Sequence, residues 1–141
     1  MYGKTIGAAV VMLAAIATAS SASAEKMTMK LNLTSASEVP PNDSKATGIA
    51  DITYDTTSKL LTWKVNYSGL TGPATMAHFH GPAEPGKNAG IMVPFKDVAS
   101  GAQGSATLTD AQAAALVDGK MYVNVHTKAH PGGEIRAQVV K

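Results

Sequence analysis

The four histidines of the chain fall into two short segments. His78 and His80 lie two residues apart, and His126 and His130 lie together in a later segment. Imidazole nitrogen binds zinc, copper, nickel and iron, and the thioether of Met76 would suit Cu(I). A pair of histidines separated by one residue, joined by a distant histidine, is a known arrangement for such metals. In the alternative interpretation these histidines are polar surface residues of a sheet that bond to their neighbours.

The spacing in both segments predicts β-strands, which decides which side chains can meet. In a strand over residues 75–80, Met76, His78 and His80 would share one face, since side chains alternate across a strand. In a strand over residues 121–127, Asn124 and His126 would lie on the polar face. Paired strands lie about 4.8 Å apart. If these two strands pair, His78, His80 and His126 can therefore bind one ion from the outer face of the sheet.

Five further residues are candidates around this centre. His130 and Met76 are additional candidate ligands for the metal. Glu134 and Arg136 share a face of a predicted strand over residues 134–140, where they could simply stabilise the terminal hairpin by cross-strand bonds. In the alternative, Glu134, Asn124 and Arg136 would orient the ligands from outside the coordination sphere.

Short alternating segments dominate the rest of the chain and predict the fold. Residues 50–54 and 61–67 read as a hairpin, and residues 109–116 as a short helix that Thr109 caps and Gly119 ends. Helices and strands do not alternate, so the predicted class is all-β: an antiparallel Greek-key β-sandwich or barrel of about eight strands with one short helix. The apolar faces predict a core of Trp63, Leu61, Val65, Phe79, Val123, Val125 and Ile135.

The N-terminal segment is typical of a secretory signal. Lys4 precedes an apolar stretch over residues 6–18, and Ala22-Ser23-Ala24 has the small residues that signal peptidase requires. We therefore predict a signal peptide over residues 1–24, a mature domain over residues 25–141, and a periplasmic or secreted protein. No later segment is apolar over the length of a membrane span, so no membrane insertion is expected after cleavage.

Composition excludes several classes of function. The chain has no cysteine, which rules out disulfides, thiolate metal sites and cysteine nucleophiles. The formal charge is +2, and loss of Lys4 with the signal would leave +1, so nucleic acid is not an expected partner. No motif for a catalytic triad or a phosphate loop is found, and no catalytic residue is predicted. The expected partners are a metal ion and, for a metal-handling role, another periplasmic protein.

Several motifs together resemble the CHRD domain, a module named after chordin that also occurs in exported bacterial proteins. The resemblance implies a β-sandwich over nearly all of the mature chain. The His78-Phe79-His80-Gly81 segment is also similar to the copper-ligand strand of Cu,Zn superoxide dismutase, although the other ligands of that enzyme cannot be placed here. The segments that match the CHRD pattern are Glu38-Val39-Pro40-Pro41, Gly48-Ile49-Ala50, Gly69-Leu70, Ala77 to Ala83, Tyr122 to Thr127 and Pro131 to Arg136.

These observations lead to three hypotheses of function. The first is an exported protein that binds a transition metal, copper before zinc, in periplasmic metal binding or handling. The second is an extracytoplasmic interaction or structural module that holds no metal. The third is a metal-dependent oxidoreductase.

Overall fold

A computed structural model describes residue 3, residues 15–20 and residues 23–141 of the chain. Most of the predicted signal peptide lies outside these residues, so its cleavage stays a prediction. Within the part of the chain that is described, no helix has the length and apolar character that crossing a membrane requires.

Eight antiparallel strands form one sheet that curls into a nearly closed barrel, which confirms the predicted all-β class. Along the sheet the order is β5-β4-β7-β8-β1-β2-β3-β6, so several neighbours are distant in sequence. One short helix, α1, connects β6 to β7. The elements are β1 (Lys26–Thr34), β2 (Thr47–Asp55), β3 (Leu60–Ser68), β4 (Ala74–His80), β5 (Ile91–Pro94), β6 (Gln103–Thr107), α1 (Asp110–Val117), β7 (Tyr122–Thr127) and β8 (Ile135–Gln138).

The barrel interior is filled by the alternating apolar residues of the strands. Every residue of the predicted core is buried, and Trp63 is only 5% exposed. The indole of Trp63 stacks on Phe95 at 4.7 Å between ring centroids and meets the edge of Phe79 at 5.2 Å. The prediction of strand phase from sequence is thereby confirmed in this part of the sheet.

The helix begins and ends where the sequence predicted. Thr109 and Gln112 form a reciprocal capping box, in which each side chain accepts from the backbone N–H of the other residue. Gly119 follows the helix with a φ of +70°, a conformation that glycine adopts without steric cost. The Gln112 side chain also donates to the carbonyl of Met92 in β5, which fixes the helix against that edge strand.

Strand β7 is buried on both faces because it lies between β4 and β8, with covering segments on the side away from the core. Val123 and Val125 enter the core, as predicted. The opposite face carries Asn124 and His126 and was expected to be the outer surface. The loop over residues 81–90 and the turn over residues 128–133 contact it through hydrogen bonds, so a second, polar interior forms there.

Candidate metal centre

Three histidines meet in this polar interior. His78, His80 and His126 each offer a ring nitrogen, and the three nitrogens lie within 4.8 Å of one another. His78 Nδ1 and His126 Nε2 are the closest pair, 3.1 Å apart. The three residues are only 6%, 8% and 5% exposed, respectively. The prediction that these two strands pair is confirmed, and the three side chains share a face as alternation requires.

The register of β4 against β7 explains the convergence. Asn124 lies directly opposite His78, and Tyr122 lies directly opposite His80. His126 is therefore diagonal to His78, a separation that an imidazole can span.

Two backbone carbonyls hold the imidazoles in a metal-binding tautomer. His80 Nδ1 lies 3.0 Å from the carbonyl oxygen of Ala89, and His126 Nδ1 lies 2.9 Å from that of Pro131. A carbonyl oxygen can only accept, so each Nδ1 carries the hydrogen and each Nε2 is left with a lone pair, the form in which it can bind a metal. The His126 lone pair accepts from His78 Nδ1 at 3.1 Å, a hydrogen bond that a bound metal would replace. His80 Nε2 is buried and has no hydrogen-bond partner.

The surroundings favour the neutral form of His78 and His80. Burial, assisted by the neighbouring His126 and His80, lowers the pKa of His78 to about 4. Burial also lowers the pKa of His80, against an opposing effect of the Ala89 carbonyl. Neutral imidazole is the form that binds a metal, so these groups need no deprotonation before binding at pH 7.

Arg136 and Tyr122 support the cluster from one side. The Tyr122 ring stacks on His80 with 4.7 Å between centroids and 2° between planes, and the Arg136 guanidinium lies 3.4 Å from the centre of the Tyr122 ring. Arg136 also donates to Asn88 Oδ1 at 2.9 Å and to the carbonyl of Lys87. It therefore fastens the loop whose Ala89 carbonyl orients His80.

Glu134 and His130, both candidates from the sequence, lie together but apart from the three-histidine cluster. The fully buried Glu134 carboxylate accepts from the backbone and hydroxyl of Thr71 and from the hydroxyl of Thr127. Burial alone would raise the pKa of Glu134, but these hydrogen bonds lower it. His130 Nε2 lies 3.5 Å from this carboxylate and is not one of the three converging histidines. Glu134 therefore orients His130 rather than a member of the cluster.

Met76 lies at the solvent edge of the centre. It is directly opposite His126 in the register of β4 and β7, and it is 47% exposed. Met76 therefore lies on the same face of the sheet as the cluster, at its solvent-exposed edge.

Glu38 is the residue near the centre that sequence reasoning did not single out. It is 3% exposed, and burial raises its pKa to about 7 against the opposing effects of Asn124 and Arg136. In the sequence, Glu38 stood out only as the first residue of the CHRD-like segment Glu38-Val39-Pro40-Pro41.

Gly133 makes the close approach of Glu38 and Asn124 possible. Its φ is +122°, and a Cβ at this position would overlap the Glu38 carboxylate and lie 2.5 Å from Asn124 Nδ2. A side chain at position 133 would therefore displace both polar groups.

Comparison with known families identifies one family model that matches this chain. Residues 29–139 match the family model of the CHRD domain, a match that covers nearly all of the described domain. No curated protein and no solved structure matches the chain at a significant level. Four of the segments that carry the CHRD resemblance, those containing Glu38, His80, His126 and Arg136, contribute residues to the centre. CHRD domains are typically extracellular modules. The chain belongs to the CHRD domain family.

Proposed function

We propose that this protein binds one transition-metal ion, copper in the first instance, through His78, His80 and His126. Its role would be metal binding or handling in the periplasm or outside the cell. The observation that carries the proposal is the burial of three imidazole nitrogens within 4.8 Å of one another. Bonds from such nitrogens to zinc or a similar metal are about 2.0–2.1 Å long, so one ion fits between nitrogens at this spacing after small rotamer changes.

The hydrogen bonding of His80 favours a metal centre over a merely structural cluster. His78 Nδ1 lies 3.1 Å from His126 Nε2, and this hydrogen bond is one that a structural cluster would also form. His80 differs, because the Ala89 carbonyl takes its Nδ1 hydrogen and leaves its Nε2 as an acceptor. The His80 lone pair has no hydrogen-bond donor. A buried acceptor without a partner costs about 1–3 kcal/mol, and a bound cation would remove this cost.

The donor set supports copper as the first candidate. Among divalent first-row metals, affinity for a given nitrogen site is highest for Cu(II). The exposed Met76, opposite His126, adds a thioether at the rim that would suit Cu(I). Zinc also accepts three imidazoles, and the titration described next separates the two metals.

The test is calorimetric and competitive titration of metal-free mature protein with Cu(I), Cu(II) and Zn(II). We expect one ion per chain, with copper bound more tightly than zinc. His78→Ala, His80→Ala and His126→Ala should each weaken binding by at least about tenfold, because each removes a ligand. Their far-UV circular dichroism should match that of the wild type, since the histidines lie outside the apolar core.

His130→Ala is the matched control, because it removes a histidine of the same segment that lies outside the cluster. It should leave metal affinity within about twofold of the wild type. The proposal fails if metal-free wild-type protein takes up no metal, or if His130→Ala weakens binding as much as His126→Ala does.

The alternative is an interaction module without a metal. The observation that favours it is the exposure of apolar side chains on the face that carries the histidines. Ile91, opposite His80, is 57% exposed, and Met76 is 47% exposed. An absence of metal binding in the titration would support this alternative.

A further inference from the structure

Three buried side-chain atoms lack a hydrogen-bond partner in the part of the chain that the structure describes. They are Glu38 Oε1, His80 Nε2 and Asn124 Oδ1. Buried polar atoms in native proteins are nearly always paired, and an unpaired one indicates a ligand or a functional role. Three such atoms beside one histidine cluster call for a common explanation.

The three residues are neighbours in space. Asn124 lies directly opposite His78, and its side chain is close enough to His80 to affect the pKa of that histidine. On its other side Asn124 meets Glu38 above Gly133, where a single Cβ would contact both side chains. Asn124 therefore lies between the histidine cluster and the Glu38 carboxylate.

His80 Nε2 and Asn124 Oδ1 are acceptors, and Glu38 Oε1 is an acceptor when its carboxyl group is ionised, at a pH above its raised pKa of about 7. His80 uses its ring hydrogen on the Ala89 carbonyl, so Nε2 has only a lone pair to offer. Asn124 Nδ2 donates to the Gly132 carbonyl at 3.5 Å, and Asn124 Oδ1 is left as an acceptor without a hydrogen-bond donor. The Asn124 amide also lies near Glu38, but no hydrogen bond of good geometry reaches Oε1.

A metal ion on His80 Nε2 would satisfy one of the three acceptors and leave two oxygen atoms. A water molecule has two hydrogens to donate. Three protein nitrogens also leave a fourth position open in a tetrahedral metal site, and water is the usual ligand there. One metal ion and the two hydrogens of its water would therefore satisfy all three unpaired atoms.

We infer that the metal centre carries an exchangeable water as its fourth ligand, and that this water donates to Asn124 Oδ1 and Glu38 Oε1. The inference rests on the proposed metal site. It makes Glu38 and Asn124 positioning residues that select ligands able to donate hydrogen bonds. Anions that can only accept would face an ionised carboxylate and a carbonyl oxygen, neither of which can donate to them.

The experiment uses the mature protein loaded with one equivalent of Cu(II) at about pH 8.5, where Glu38, whose pKa is raised to about 7, is ionised. Proton electron–nuclear double resonance in H₂O and in D₂O detects exchangeable hydrogens bound close to the copper. Azide, an anion that cannot donate, is titrated into the same samples and followed by its charge-transfer absorption. The variants are Glu38→Gln, which keeps the shape and adds an N–H donor, and Asp43→Asn, an exposed acidic residue of the same connection as control.

We expect the wild type to show strongly coupled proton signals that disappear in D₂O, and to bind azide weakly. Glu38→Gln should bind azide about tenfold more tightly, because its amide can donate to the anion where the carboxylate could not. Asp43→Asn should bind azide as the wild type does.

Two results would overturn the inference while leaving the metal site intact. The first is a copper-loaded wild type without exchangeable proton signals. The second is an azide affinity that is the same in Glu38→Gln and in the wild type. Calorimetry on the same samples reports copper uptake separately, so a loss of the metal site itself is distinguished from a loss of the bound water. If Glu38→Gln does not fold, the proton signals of the wild type decide alone.

Discussion

Trp63 and Gly104 face each other across β3 and β6, and their packing gives a quantitative test of the core. Gly104 is paired with Trp63 in the sheet register, and a Cβ at Gly104 would lie 2.5 Å from the indole Nε1 and overlap two ring carbons. Phe79 and Phe95 hold the indole from other sides, so it cannot move freely away. We therefore expect Gly104→Ala to cost about 1–3 kcal/mol of unfolding free energy through overpacking.

Trp63→Ala removes the same indole and should cost about 3–5 kcal/mol, because Trp63 is 5% exposed and central in the core. In this variant the space next to Gly104 is open. Adding Gly104→Ala should then cost nothing, or even stabilise the strand by about 0.5–1 kcal/mol, since alanine loses less backbone entropy than glycine. The two substitutions should therefore be strongly non-additive, with a coupling energy of about 1–3 kcal/mol.

Urea unfolding followed by far-UV circular dichroism measures all four proteins, because the signal does not depend on the tryptophan. Free energies that add to within about 0.5 kcal/mol would refute the packing described for this pair. A loss below about 1 kcal/mol for Trp63→Ala alone would place the indole outside the core and shift the phase of β3 by one residue.

Three further predictions concern export, pH and metal. Mass spectrometry of exported material should show a mature N-terminus at Glu25, and periplasmic protein that retains residues 1–24 would contradict the predicted signal. In metal-free Glu38→Gln protein, the free energy of unfolding should fall by about 1–2 kcal/mol, a figure reduced for solvent screening, as the pH is lowered from about 6.5 to about 4. His78 causes this loss, because it is protonated over this range in the unfolded chain but has a pKa of about 4 in the folded protein. Glu38 must be replaced because its raised pKa of about 7 has the opposite effect: its contribution to the unfolding free energy is lost as pH rises from about 4.5 to about 7. An unfolding free energy of Glu38→Gln that does not change between about pH 6.5 and about pH 4 would contradict the neutral state of His78. Copper at 100 times its dissociation constant should raise the unfolding free energy of the wild type by about 2.7 kcal/mol, and an equal rise in His80→Ala would argue against the site.

The sequence predicted the fold well because its signals were local. Alternation over β3 follows from the two-residue period of a strand, and its buried apolar face of Leu61, Trp63 and Val65 was assigned correctly. The cap at Thr109 and the end at Gly119 depend on a few adjacent residues, so they too could be predicted.

The candidate centre was predicted in part. The shared face of His78, His80 and His126 follows from strand alternation, and the pairing of β4 with β7 was a hypothesis that the register confirms. The burial of this face could not be predicted, because the coverage comes from loops. Neither the Ala89 nor the Pro131 carbonyl has a side-chain signature, yet these two groups set the tautomers of His80 and His126.

The sequence by itself determined the strand phase, the helix α1 and the face on which the histidines lie, because each depends on neighbours within a few residues. Only the tertiary structure decided which polar residues join them. Glu38 reaches Asn124 because the connection after β1 folds over Gly133, and Glu134 turns to His130 and Thr71 instead of to the cluster. These contacts join segments far apart in the chain, and no periodic pattern encodes the path by which a loop returns to a sheet.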